Sequence, residues 1–154
     1  MELTKMKRLS SLVLLVTALL FAPAVLAAGQ ATPDEAKAMA IEAVEYLKSV
    51  GPAKAFPEFT AKDNRWHDRD LYVNVVDSKG MVVAHGNNPG LIGHSVLTLK
   101  DVTGKPFIQD FMAVKDAAWV DYKWQNPVTQ MVEPKTVYVV RFGDYVVGVG
   151  AYAQ

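Results

Sequence analysis

The rhythm of apolar and polar positions changes several times along the chain. Lys5, Lys7 and Arg8 precede an apolar run from Leu9 to Leu26 that only Ser10, Ser11, Thr17 and Pro23 interrupt. A basic flank, an apolar stretch and then small residues form the layout of a secretory signal peptide. Val25-Leu26-Ala27 meets the small-residue requirement, with the cut before Ala28. An uncleaved membrane anchor is the alternative, because the run nears the roughly 17-residue lower limit for a span. Pro23 followed by small residues suits cleavage better. The reading is a signal peptide over 1–27 and one domain over 28–154.

From Thr32 the period becomes helical. Thr32 can cap, Pro33 suits the first helical position, and Asp34 and Glu35 complement the positive end of the helix dipole. Ala36, Met39, Ala40, Ala43, Val44 and Leu47 recur at steps of three and four, which predicts one long helix with a single buried stripe. Gly51-Pro52 breaks or kinks it, and Ala53 to Phe59 reads as a second short helix. The period then shortens. Asp70 to Asp77 and Met81 to His85 are rich in β-formers around Ser78-Lys79-Gly80, the pattern of a hairpin. Gly86-Asn87-Asn88-Pro89-Gly90 forbids regular structure, and Leu91 to Ala118 mixes short helical patterns with turns. Trp119–Trp124, Thr136–Phe142 and Tyr145–Tyr152 are three more strands, the last two joined by Gly143-Asp144.

Two strands, a helical crossover and three strands describe an α+β fold: a five-stranded antiparallel sheet with the long amino-terminal helix on one face. Along the first strand Leu71, Val73 and Val75 share one side and Tyr72 and Asn74 the other. The aliphatic side suits the helix-packed core. The more polar side, facing the crossover, suits a ligand pocket.

Composition narrows the chemistry. The 154 residues suffice for one ordinary domain. With no Cys, disulfide frameworks, thiolate zinc sites, haem attachment, a lipoprotein anchor and cysteine nucleophiles are excluded by counting. Sixteen basic and sixteen acidic residues balance; loss of the leader leaves a formal charge of minus two, which gives no reason to expect a nucleic-acid partner. His67, His85 and His94 have no metal-ligand spacing, no nucleophile elbow is present, and Gly90 to Gly93 lacks the form of a phosphate loop. The expectation is no enzyme, no metal and no cofactor.

Four places remain as candidate chemistry. His85 ends a strand beside a Gly/Asn/Pro loop, and reads equally as a ligand contact or a hydrogen-bonded strand-end histidine. Tyr122 and Trp124 share a face on a ring-rich strand, which serves either a pocket or a core. Lys135 opens a strand after Glu133-Pro134; turned inward, it would offer a carboxylate a charge-assisted hydrogen bond, and turned outward it would be a solvated strand end. Arg69, just before the first strand, has the same two readings.

Blocks of the sequence resemble a known family. Arg69-Asp70-Leu71-Tyr72-Val73, Val83-Ala84-His85-Gly86 with Pro89 and Leu91-Ile92-Gly93, and Gly104-Lys105-Pro106-Phe107 are similar to the single Cache domain of the second type. So, in the same order, are Trp119-Val120-Asp121-Tyr122 with Trp124 and Asn126-Pro127, Glu133-Pro134-Lys135 with Tyr138-Val139, and the closing strand Val146 to Tyr152. The resemblance runs from about Thr32 to Tyr152. It implies a PAS-like extracytoplasmic sensor domain with a pocket for a small organic acid, and makes Arg69, Tyr72, His85, Tyr122, Trp124 and Lys135 candidate ligand-binding residues. Unlike receptor members of the family, the chain carries no second membrane segment and no output module. The expected function is therefore a periplasmic or secreted protein that binds a small carboxylate and presents it to a membrane partner, such as a sensor kinase, chemoreceptor or transporter. The alternatives are an accessory protein-interaction module with no ligand of its own, or a tethered sensor if the leader is retained.

Overall fold

The structure, a computed structural model, describes residues 29–62 and 65–153. The proposed leader lies outside the described residues. Helix α1 spans Pro33–Val50 and starts where the capping residues place it: the Glu35 amide donates to Thr32 Oγ1, and the Glu35 carboxylate accepts from the Thr32 amide. Its buried stripe is Ala36, Ala40, Ala43, Val44 and Leu47. Gly51 ends α1, and α2 follows at once over Pro52–Thr60 with Phe59 buried.

All five expected strands form, and a sixth is added. The elements are β1 (His67–Asp68), β2 (Leu71–Asp77), β3 (Val82–His85), β4 (Ala117–Gln125), β5 (Val132–Phe142) and β6 (Tyr145–Tyr152). A 3-10 turn at Pro89–Leu91 and helix α3 (Phe107–Ala113) form the crossover between β3 and β4. β5 starts four residues before the expected Thr136 and contains Pro134. That proline is tolerated because β6 has run out beside it, so no amide is needed there, and the Pro134 carbonyl still accepts from the Ala153 amide.

All pairings are antiparallel, and the five main strands lie side by side as β3-β2-β6-β5-β4. The first and last long strands are therefore neighbours at the centre. β2 and β6 are buried on both faces, which is why they read as nearly continuous apolar runs. Leu71, Val73 and Val75 pack with Val147, Val149 and the two amino-terminal helices. On the opposite face Val76, Val137, Val139 and Val146 pack with Val96, Phe107, Ile108 and Phe111 of the crossover. The crossover also guards the edge of β3: the Val82 amide donates to the His94 carbonyl, and the Val96 amide to that of Gly80. Among the described residues no helix is long and apolar enough to cross a membrane.

Candidate functional site

Strand register assembles the site. Paired residues in an antiparallel sheet point to the same face. Asn74 pairs with His85 on one side and Gly148 on the other; Lys135 pairs with Tyr122 and Tyr152; Val137 pairs with Gly150. Tyr72 and Trp124 stand two residues along from Asn74 and Tyr122. Five strands thus bring Tyr72, Asn74, His85, Tyr122, Trp124, Lys135 and Tyr152 to the face beneath the crossover.

Lys135 is 2% exposed. Its Nζ donates to Tyr72 Oη at 2.8 Å and lies 4.1 Å and 4.7 Å from the ring centroids of Tyr72 and Tyr152. Among the described residues no carboxylate stands within ion-pair distance of it. Buried cations are normally paired, since taking a charge out of water costs several kcal/mol. Two aromatic faces offset part of that cost and leave the ammonium short of an anion. Glycines make the room. A Cβ on Gly150 would fall 2.5 Å from Lys135 Cε, and one on Gly148 would fall 3.1 Å from Asn74 Oδ1.

A cavity of about 40 Å³ opens between this face and the crossover. Tyr72, Asn74, His85 and Tyr122 bring polar groups to it, and Leu91, Phe107, Phe111 and Trp124 close it with apolar surface. Lys135 is not itself a wall; it reaches the cavity through the Tyr72 hydroxyl. Tyr72 Oη accepts from the ammonium and also meets the Tyr152 hydroxyl. The Asn74 side-chain amide makes no hydrogen bond among the described residues. The Asn88 amide donates to His85 Nδ1 at 2.9 Å, so a neutral His85 carries its proton on Nε2. The cavity therefore gathers more donors than the protein satisfies.

Electrostatics fix which of these groups are charged. Burial, and then the Lys135 charge, push His85 down to about 4. It is a neutral donor at physiological pH. Burial drives the Tyr122 and Tyr152 phenols upward, with Tyr72 adding to both, so neither ionises. The Tyr152 hydroxyl donates to the Gln125 carbonyl at 2.7 Å. For His85 the linkage sign is set by a folded-state pKa below the unfolded value near 6.5: stability is full above that value and declines as pH falls toward 4, where the unfolded chain takes the proton first. The ligand-free protein is expected to lose about 3 kcal/mol across that window. Chemical denaturation at pH 7.5 and 5 should show about 2 kcal/mol of the loss, and His85→Phe should flatten it; an equal loss in the variant would put its origin elsewhere.

Arg69 takes the outward reading. It occupies the turn between β1 and β2 with φ 55°, and its guanidinium pairs with Glu35 at 2.7 Å and Asp68 at 2.8 Å. The structure does not bring it to the cavity, whereas Tyr72, His85, Tyr122 and Trp124 line it and Lys135 stands behind Tyr72. Asn74 and Tyr152 were absent from the expected set. Alternation with Tyr72 marked the face of Asn74, but Tyr152 is tied to Lys135 only by the register of β5 and β6. Among the described residues no three His, Asp or Glu side chains converge to hold a metal ion.

Known proteins share this architecture. The methyl-accepting chemotaxis protein from Vibrio parahaemolyticus superposes with TM-score 0.68 at 24% identity, over 77% of this chain and 86% of that one. A periplasmic sensor domain of a chemotaxis protein gives 0.61 at 23% identity over 79% and 90%. A Cache chemosensory domain described for carboxylic acid recognition gives 0.61 at 24% identity over 79% and 88%. These likenesses establish the fold. No curated protein matches the chain. The sequence profile of Single Cache domain 2 matches residues 1–154. The chain belongs to that family, the single Cache domains of the second type.

Proposed function

We propose that the protein is an extracytoplasmic sensor domain that binds a short monocarboxylate beneath its crossover and reports it to a membrane partner. The observation that carries this reading is Lys135, a buried ammonium between the Tyr72 and Tyr152 phenols with no carboxylate of the described residues within ion-pair distance. A ligand carboxylate would supply the missing anion. Tyr72 O–H, the His85 Nε2–H and the Asn74 amide would donate to its oxygens, and such charge-assisted bonds are the stronger kind. Trp124 and Tyr122 would keep water out, which strengthens the pairing. No covalent step is involved. The cavity of about 40 Å³ is room for roughly three waters at 10–15 Å³ each, which suits an acid of acetate or propionate size. Membership of a family of sensor domains supports the sensing role, as does the chemosensory neighbour whose description names carboxylic acids. Export through the leader at residues 1–27 belongs to the same proposal.

Thermal-shift and calorimetric titrations with acetate, propionate and their neutral amides at fixed ionic strength provide the test. The acids should raise the melting temperature and the amides should not. Equal shifts from acid and amide, or none from either, would reject the reading.

A further inference from the structure

A second cleft, of about 290 Å³, adjoins the first cavity and opens outward between the 85–91 turn and the ends of β4 and β5. Its walls include Val102, Lys123, Gln125 and Val132, and it shares three residues with the inner cavity: His85, Leu91 and Trp124. Those three side chains are all that the two spaces have in common. His85 already serves the polar end, so the apolar partition between them is Trp124 and Leu91.

The partition is braced from both sides. The Phe107 ring stacks on Tyr122 at 3.9 Å and 6° and meets Trp124 edge-on at 5.4 Å, so the crossover helix holds the indole against its own strand. Leu91 ends the 3-10 turn, which is fixed to the sheet where the Asn88 amide donates to His85 Nδ1 and is tightened where Asn88 Oδ1 accepts from the Gly90 amide. Bulk alone then limits what the inner cavity can hold.

We propose that Trp124, with Leu91, sets the length of acid the protein accepts: the partition holds a short acid entire in the inner cavity and bars a longer chain from the outer cleft. This rests on the monocarboxylate reading. The outer cleft becomes an alkyl subsite once the partition is removed, because Leu91 side, Val102 and Val132 surfaces then continue the inner wall. In Trp124→Ala each methylene that enters it should tighten binding by up to about fourfold, the value for full burial, and by less where Val102 and Val132 stay exposed.

Calorimetry of the full chain and of Trp124→Ala with straight-chain acids from acetate to octanoate tests the idea. The parent should bind acetate or propionate best and fall off by butanoate to hexanoate; the variant should reverse the order and bind octanoate most tightly. Leu91→Ala, which opens the same partition from the crossover side, should shift the optimum in the same direction and serves if Trp124→Ala does not fold. A parent that binds octanoate as well as propionate, or folded variants that keep the parental order, would overturn the proposal and leave the carboxylate reading standing. Failure of every acid to bind the parent would overturn both.

Discussion

Replacing Lys135 with Met is expected to stabilise the ligand-free protein and to weaken its binding of a short carboxylate by about 30-fold or more. The two effects have opposite signs for one reason. Lys135 is 2% exposed and has no carboxylate within ion-pair distance among the described residues, so the folded chain carries the desolvation cost of an ammonium that Tyr72 Oη and two ring faces relieve in part. A methionine of similar length fills the same channel beside Gly150 without the charge. The Tyr72 hydroxyl loses a donor at a cost of about 1 kcal/mol, less than the several kcal/mol of the buried ion. A net gain of about 1–3 kcal/mol should appear as a higher denaturation midpoint. Removing one partner of a buried charge pair costs about 2–5 kcal/mol of binding, which corresponds to the 30-fold loss at its lower end. Unchanged affinity in a folded Lys135→Met would remove Lys135 from the site. A sharp drop in stability with no ligand present would mean that the ammonium is already compensated.

Gly150→Ala should damage both properties at once. The added Cβ would fall 2.5 Å from Lys135 Cε, 2.6 Å from Val137 Cγ2 and 3.1 Å from the Thr136 carbonyl oxygen. The lysine stem can swing away, but Val137 is β-branched, fully buried and held in β5 opposite this position. Overpacking of this kind costs about 1–3 kcal/mol. Moving the stem also takes Nζ from Tyr72, so ligand affinity should fall by at least about tenfold. A double-mutant cycle separates the two contacts: with Lys135→Ala in the background the Cε clash is gone, and the penalty of Gly150→Ala should shrink to the share owed to Val137. Full additivity would show that Gly150 and Lys135 do not interact, and that the glycine serves only the packing of β6 on β5.

Much of the architecture was legible because it follows from local rules. Thr32, Pro33 and Glu35 marked the start of α1, and Gly51-Pro52 its end, through capping and proline geometry that need no tertiary partner. Alternation along β2 separated Leu71, Val73 and Val75 from Tyr72 and Asn74, and those two sets do face the helices and the crossover respectively. Glu133-Pro134 read as the approach to a strand rather than part of one, since the missing amide of proline is harmless only where a neighbouring strand has ended, and that depends on β6.

The sequence by itself determined the α+β class, five of the six strands, the long helix that covers one face, the short helix after it, and which face of β2 is polar. Each of these is a periodicity or a cap, expressed within a few residues. Only the tertiary structure decided the site. Lys135, Tyr72 and Tyr152 are separated by up to 80 residues and meet because β6 inserts between β2 and β5 in one particular register, with Gly150 leaving the space for the lysine stem. The outward turn of Arg69 was equally beyond local reading. Its positive φ lifts it out of strand alternation, and the Glu35 carboxylate that holds it lies on a helix more than 30 residues away. Whether a basic residue faces ligand or solvent is set by which distant groups the fold brings within a few ångströms, and no spacing along the chain encodes that distance.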